Sequence, residues 1–165
     1  MPECVSVVAD SPAPTLPRGD LWAVDVGFRR RQLASRWVEF QWELACVRLP
    51  SHEAPSDCDA FFPCQPIELH PSEGEGYWLN LNSPAPCVFV MWRQEEADAS
   101  PVPVVVTLSY NEAGRMLDAG ERVEQKPIPE LLRDALSAYV AAHYSPQVRR
   151  KVRRNDPFRD EGGQP

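Results

Sequence analysis

Apolar and polar residues alternate over 21–29. Trp22, Val24, Val26 and Phe28 fall on one face, and Ala23, Asp25, Gly27 and Arg29 on the other. A period of two predicts a half-buried strand. The alternation returns over 37–47, where Val38, Phe40, Trp42, Leu44 and Cys46 oppose Glu39, Gln41 and Glu43. The short polar link between the two predicts an antiparallel hairpin. Residues 49–66 hold four prolines and read as a long irregular loop. Four more strands are expected over 67–70, 77–81, 87–93 and 102–108. The third and fourth of these are nearly continuous β-branched or apolar runs, the pattern of strands buried on both faces. In 77–81, Tyr77, Leu79 and Leu81 alternate with Trp78 and Asn80. Glu73-Gly74-Glu75-Gly76 and 83–86 supply turns, with Glu73 and Glu75 solvated.

The period changes at Ser109. Ser109-Tyr110-Asn111-Glu112 fits a capping box, in which serine and glutamate side chains satisfy the free N–H groups of a helix start. A short helix over 110–118 follows, with Gly120 just past its end. Pro129 suits the first position of a second helix. Leu132, Ala135, Leu136, Tyr139, Val140 and His143 form its apolar stripe, and Pro146 stops it. The expected class is therefore α+β: an antiparallel sheet or half-barrel of about six strands, then a short helix and a longer C-terminal helix. Residues 1–18 read as a flexible arm, 19–147 as a single domain, and 148–165 as a disordered tail, basic and then acidic.

Charge refines this picture. The 165-residue chain is 43% hydrophobic and 25% charged, with a net charge of −7. That balance speaks against a nucleic-acid binder, because neutralising phosphates needs a surplus of Lys and Arg. Yet Arg149, Arg150, Lys151, Arg153 and Arg154 cluster near the end, leaving an acidic body with a basic tail. Residues 1–10 lack the long apolar run of a signal peptide, and no stretch is long enough to span a membrane. A cytoplasmic location is expected, with the five cysteines as thiols.

Candidate chemistry is sparse. His52, Cys58, Cys64 and His70 are borderline-soft ligands that zinc accepts, but their spacing is wider than that of structural zinc sites. The alternative is a loop whose thiols pack beside Phe61 and Phe62. Cys46 and Cys87 fall within predicted strands and read as packing groups. No phosphate cradle or nucleophile elbow is present. No catalytic residue and no cofactor is assigned. Five tryptophans are many for this length. Trp22 and Trp42 belong to the core. Trp37 and Trp78 fall on opposite faces from their apolar neighbours and would form an exposed aromatic patch on an uncovered sheet face. Together with the basic run they are the candidate partner-binding residues.

The order of features carries a resemblance. Arg29-Arg30-Arg31 precedes Trp37 and Trp42. Ile67-Glu68-Leu69, Tyr77 to Leu81 and Pro86-Cys87-Val88-Phe89-Val90-Met91-Trp92-Arg93 follow. Then come Thr107-Leu108-Ser109-Tyr110-Asn111-Glu112-Ala113, Asp118-Ala119-Gly120-Glu121 and Pro127-Ile128-Pro129. Over 24–154 the chain resembles a proteobacterial family labelled domain of unknown function 3305. Genes of that family are often found among those for formate dehydrogenase and molybdenum-cofactor enzymes. The resemblance implies a non-catalytic accessory protein that assists assembly, maturation or regulation of such an enzyme. Its partner would be a molybdoenzyme subunit or another accessory protein. A small-ligand or metal carrier, using a sheet cavity or the cysteine–histidine loop, is the other reading.

Overall fold

Strand β1 (Leu21–Gln32) is the axis of the first sheet. It pairs antiparallel with β2 (Phe40–Arg48) on one side and with β3 (Ala60–Glu68) on the other. The computed structural model describes residues 21–147 except 52, 97 and 98. The N-terminal arm and the basic tail lie outside the described residues. As the alternation predicts, Trp22, Val24, Val26 and Phe28 are buried. The other face of β1 is covered too: Asp25 and Gly27 are buried, beneath the loop that joins β2 to β3.

Most of strand β3 lies in a stretch expected to be loop. Pro63 and Pro66 hid it, since proline cannot donate to a ladder. It is the edge strand of its sheet, where such residues are tolerated. Its pairing with β1 shifts register between Val24 and Val26, and Cys64 there takes a φ of 51°. The buried Asp25 carboxylate secures the irregularity. It accepts the backbone N–H of Cys64 at 2.9 Å and that of Ser51 at 2.8 Å.

The second sheet is β4 (Cys87–Arg93) flanked by β5 (Val102–Thr107) and β6 (Val123–Pro127), again antiparallel. Every residue of β4 except Arg93 is buried. So the expected single sheet or half-barrel is instead two three-stranded sheets. Phe28, Leu44, Val88, Val90 and Trp92 belong to one buried core cluster that draws on both sheets. Glu124 of β6 ties the layers. Its carboxylate accepts the backbone N–H of Leu44 at 2.9 Å and the indole N–H of Trp92 at 3.1 Å. Arg122 lies over the Trp92 ring, 4.4 Å from its centroid.

Among the described residues three α-helices complete the fold, α1 (Gly74–Leu81), α2 (Tyr110–Asp118) and α3 (Glu130–His143), with a 3-10 turn over Pro71–Glu73. Residues 77–81 are therefore helical, not a strand. Five alternating residues suit either period, and here Tyr77 and Asn80, three apart, share the buried face. Asn80 fixes the position of α1. Its amide donates to the carbonyls of Cys87 at 2.7 Å and Leu108 at 2.9 Å, and accepts the Cys87 N–H at 3.0 Å. At α2, the Ser109 hydroxyl accepts the Glu112 N–H as predicted. The Glu112 carboxylate, however, takes the Thr107 hydroxyl at 2.5 Å, and the Ser109 N–H goes to Thr107 Oγ1 at 3.1 Å. Gly120 follows α2 with φ of 81°. Leu132, Leu136, Tyr139 and Val140 of α3 are buried along the predicted stripe. His143 is exposed, its ring 4.3 Å from that of Tyr139.

Candidate interaction surface

The pairing of β1 with β2 runs to Gln32 opposite Phe40, so residues 33–39 form the hairpin end. The Leu33 N–H to Glu39 carbonyl bond closes its base at 3.0 Å. Trp37 stands on this end, outside β2, because the strand begins three residues later than the alternation suggests. It is 92% exposed, and the neighbouring Val38 is 49% exposed. Behind them the Arg30 guanidinium lies over Phe40 at 5.4 Å and Trp42 at 5.8 Å. Cation–π contact and the Asp59 carboxylate together hold Arg30 in place. Val38, Phe40, Trp42 and Arg122 border a hollow of about 340 Å³. The indole N–H of Trp42 is buried and meets no hydrogen-bond partner among the described residues. An exposed indole on a tethered turn beside ordered aromatic and guanidinium groups is the composition of an interface anchor.

Trp78 lies elsewhere. It sits half-buried on α1, its ring 6.4 Å from that of Tyr144, in a groove of about 610 Å³ between α1 and α3. Leu81, Pro86, Val140 and Pro146 form the apolar lining, with Arg133 and Asp134 at the polar rim. The single aromatic sheet face expected to hold both tryptophans is thus replaced by two separate surfaces. Trp37 follows one end of β1, whereas Trp22, at the other end, packs edge-on against Tyr139 of α3. The run of Arg149, Arg150, Lys151, Arg153 and Arg154 lies outside the described residues. In sequence it begins shortly after Tyr144 and Pro146, which border the Trp78 groove.

Among the described residues, Cys58, Cys64 and His70 are not grouped to hold an ion. Cys58 faces Cys46, with their sulfurs 3.7 Å apart. Cys64 is exposed on β3, and His70 stands 3.8 Å from the Glu68 carboxylate. His52 lies outside the described residues. Among the described residues no three His, Cys, Asp or Glu side chains are grouped to hold an ion.

One polar cluster escaped sequence reasoning. Glu73, expected in a solvated turn, is half-buried ahead of α1. It accepts the Ser109 hydroxyl and an Arg115 N–H, each at 2.6 Å. Burial opposes its ionisation, but these two bonds outweigh that and hold its carboxyl below the usual range. The cluster locks α1 to α2. A glutamate beside two glycines gave no signal of it, since its partners come from residues 36 and 42 positions away.

Residues 23–153 match a family model described as a protein of unknown function, DUF3305. The chain belongs to this family. The DUF3305 match begins in β1 and extends past α3, so it contains the Trp37 hairpin end, the Trp78 groove and all of the basic run but Arg154. No curated protein and no solved structure matches the chain. Among the described residues no helix is long and apolar enough to cross a membrane.

Proposed function

We propose that this DUF3305 protein is a non-catalytic accessory protein that assists assembly, maturation or regulation of a formate dehydrogenase or related molybdoenzyme in the cytoplasm. The Trp37 hairpin end is the primary docking element. The Trp78 groove is a second one, and the basic run from Arg149 to Arg154, which follows it in sequence, supplies further contacts. The observation that carries the reading is the 92% exposure of Trp37 on a turn whose base is closed by a backbone hydrogen bond. Truncating an anchor tryptophan removes roughly 2 kcal/mol or more of binding, whereas a solvent-exposed side chain contributes little to folding. The molybdoenzyme setting rests on the family resemblance.

A native pull-down from the protein's own host grown on formate, read by mass spectrometry, tests this. The full-length bait should recover a molybdoenzyme subunit or an associated accessory protein. Trp37→Ala should cut that recovery by about tenfold or more while leaving the melting temperature within about 2 °C. Truncation after Gln147 should weaken it further. Well-folded full-length bait that recovers no such protein overturns the proposal.

A further inference from the structure

Gly27 leaves a space on β1 that two sulfurs occupy. It pairs across the sheet with Cys46 of β2. A Cβ placed on it would lie 2.4 Å from Cys58 Sγ and 2.8 Å from Cys46 Sγ. The two thiols therefore meet above the glycine, 3.7 Å apart, and both are half-buried. Cys46 is held in a strand. Cys58 precedes β3, in a segment anchored by the Asp59 N–H on the Phe28 carbonyl at 2.8 Å. A disulfide needs its sulfurs about 2.05 Å apart. The gap is to be closed from Cys58, which lies outside any strand. The remaining described thiols lack this arrangement: Cys64 is exposed, and Cys87 is buried with its sulfur 3.9 Å from Asn80 Oδ1.

We propose that Cys46 and Cys58 form a reversible intramolecular disulfide when the protein meets a peroxide, stapling β2 to the segment that leads into β3. The Cys46 thiolate attacks one peroxide oxygen. The O–O bond breaks, the leaving hydroxide takes a proton to become water, and Cys46 becomes a sulfenic acid. The Cys58 sulfur then attacks the Cys46 sulfur. The S–O bond breaks, and the departing oxygen leaves as a second water with the Cys58 proton. Two thiols lose two electrons, and one peroxide becomes two waters. A dithiol reductant restores the pair by exchange. Burial, and next the S–H···S contact with Cys46, push the Cys58 thiol up to about 12. The first attack is assigned to the strand-held Cys46, and resolution to Cys58, which lies outside any strand. In reducing compartments such a bond is transient, which suits a sensor rather than a permanent staple.

The test uses the full chain with Cys4→Ser and Cys64→Ser, treated with hydrogen peroxide, alkylated under denaturing conditions and digested without reduction. The digest should yield a Cys46–Cys58 linked peptide pair lighter by two hydrogens, lost on treatment with dithiothreitol, with Cys87 alkylated. Cys58→Ser should instead leave a Cys46 sulfenic acid that dimedone traps. Gly27→Ala, whose new methyl takes the space of both sulfurs, should lower the linked yield about tenfold at equal peroxide. Circular dichroism and cooperative melting establish that each variant is folded. Folded, peroxide-treated protein in which Cys46 and Cys58 are both still alkylated overturns the proposal, as does a link from either cysteine to Cys87.

Discussion

Two glycines in helices show how a single hydrogen atom can be required or dispensable. Gly76 packs in α1 so closely that a Cβ would stand 2.1 Å from Ser109 Oγ and 3.2 Å from the backbone nitrogen of Asn111. Ser109 cannot retreat freely, because its hydroxyl both caps α2 and donates to Glu73. Helix propensity favours alanine over glycine by about 1 kcal/mol, but overpacking a fixed contact costs roughly 1–3 kcal/mol. At this position the clash wins. Gly114, in α2, has nothing within 4 Å of where its Cβ would be. Urea denaturation should therefore show Gly76→Ala destabilised by about 1–2 kcal/mol, and Gly114→Ala stabilised by up to about 1 kcal/mol. Equal effects at the two sites would mean that the Gly76–Ser109 approach does not limit α1.

At the scale of elements, α1 depends on one amide more than on its own sequence. Eight residues with two glycines make a poor isolated helix. Asn80 compensates by bonding the start of β4 and the end of β5. Asn80→Ala would strand the Cys87 N–H and two carbonyls in the interior, at a cost of about 1–3 kcal/mol for each group left unsatisfied. The urea midpoint should fall by a margin equivalent to roughly 3 kcal/mol at unchanged slope. A change in slope instead would mean that α1 unfolds separately. The same dependence explains why α1 was misread: its helicity is imposed by contacts distant in sequence. Strand β3 was obscured by prolines that only an edge position permits. Strand β6 was missed because five residues containing Glu124 and Lys126 show no apolar run, and its order comes from pairing with β4. By contrast β1, β2, β4, β5, α2 and α3 were legible, because each carries its own period or cap. Of the candidate surface, Trp37 could be singled out by face alone. Its place on a turn, and the separation of Trp78 into a groove, follow from where pairing stops and where α3 packs.

For the whole molecule, the ionisable groups that the fold perturbs set limits on both sides of neutrality. Hydrogen bonds from Arg29, from the Arg30 backbone and from Arg93 hold Glu43, Asp59 and Glu121 below their ordinary values. Glu73 is held low in spite of burial. A carboxyl depressed in the folded state contributes stability that is complete above its unfolded pKa, about 4, and is lost as pH falls through the folded value. The opposite limb belongs to Tyr77, Cys58 and Cys87. Burial is the main cause in each, and it pushes Tyr77 and Cys58 up to about 12. All three are neutral when protonated, so the unfolded chain releases protons first, from about pH 8.5 for the thiols and about pH 10 for the phenol. Their contribution is complete below those values and lost as pH rises toward 12. Urea midpoints should form a plateau from about pH 5 to about pH 8 and decline on either side. The two limbs can be assigned separately. The ion pairs of Glu43, Asp59 and Glu121 each involve a well-exposed arginine, and solvent and salt screen them. Glu73 also pairs with an exposed arginine, but it accepts the hydroxyl of the buried Ser109 as well, and that bond is out of reach of solvent and salt, so Glu73 should dominate the acid limb. Glu73→Gln should therefore flatten the decline below about pH 5 more than Glu121→Gln does. Cys58→Ser should make the decline between about pH 8.5 and the phenol range shallower, leaving the part due to Cys87. An acid limb that Glu73→Gln leaves unchanged would shift the acid sensitivity from the α1–α2 lock to the surface pairs.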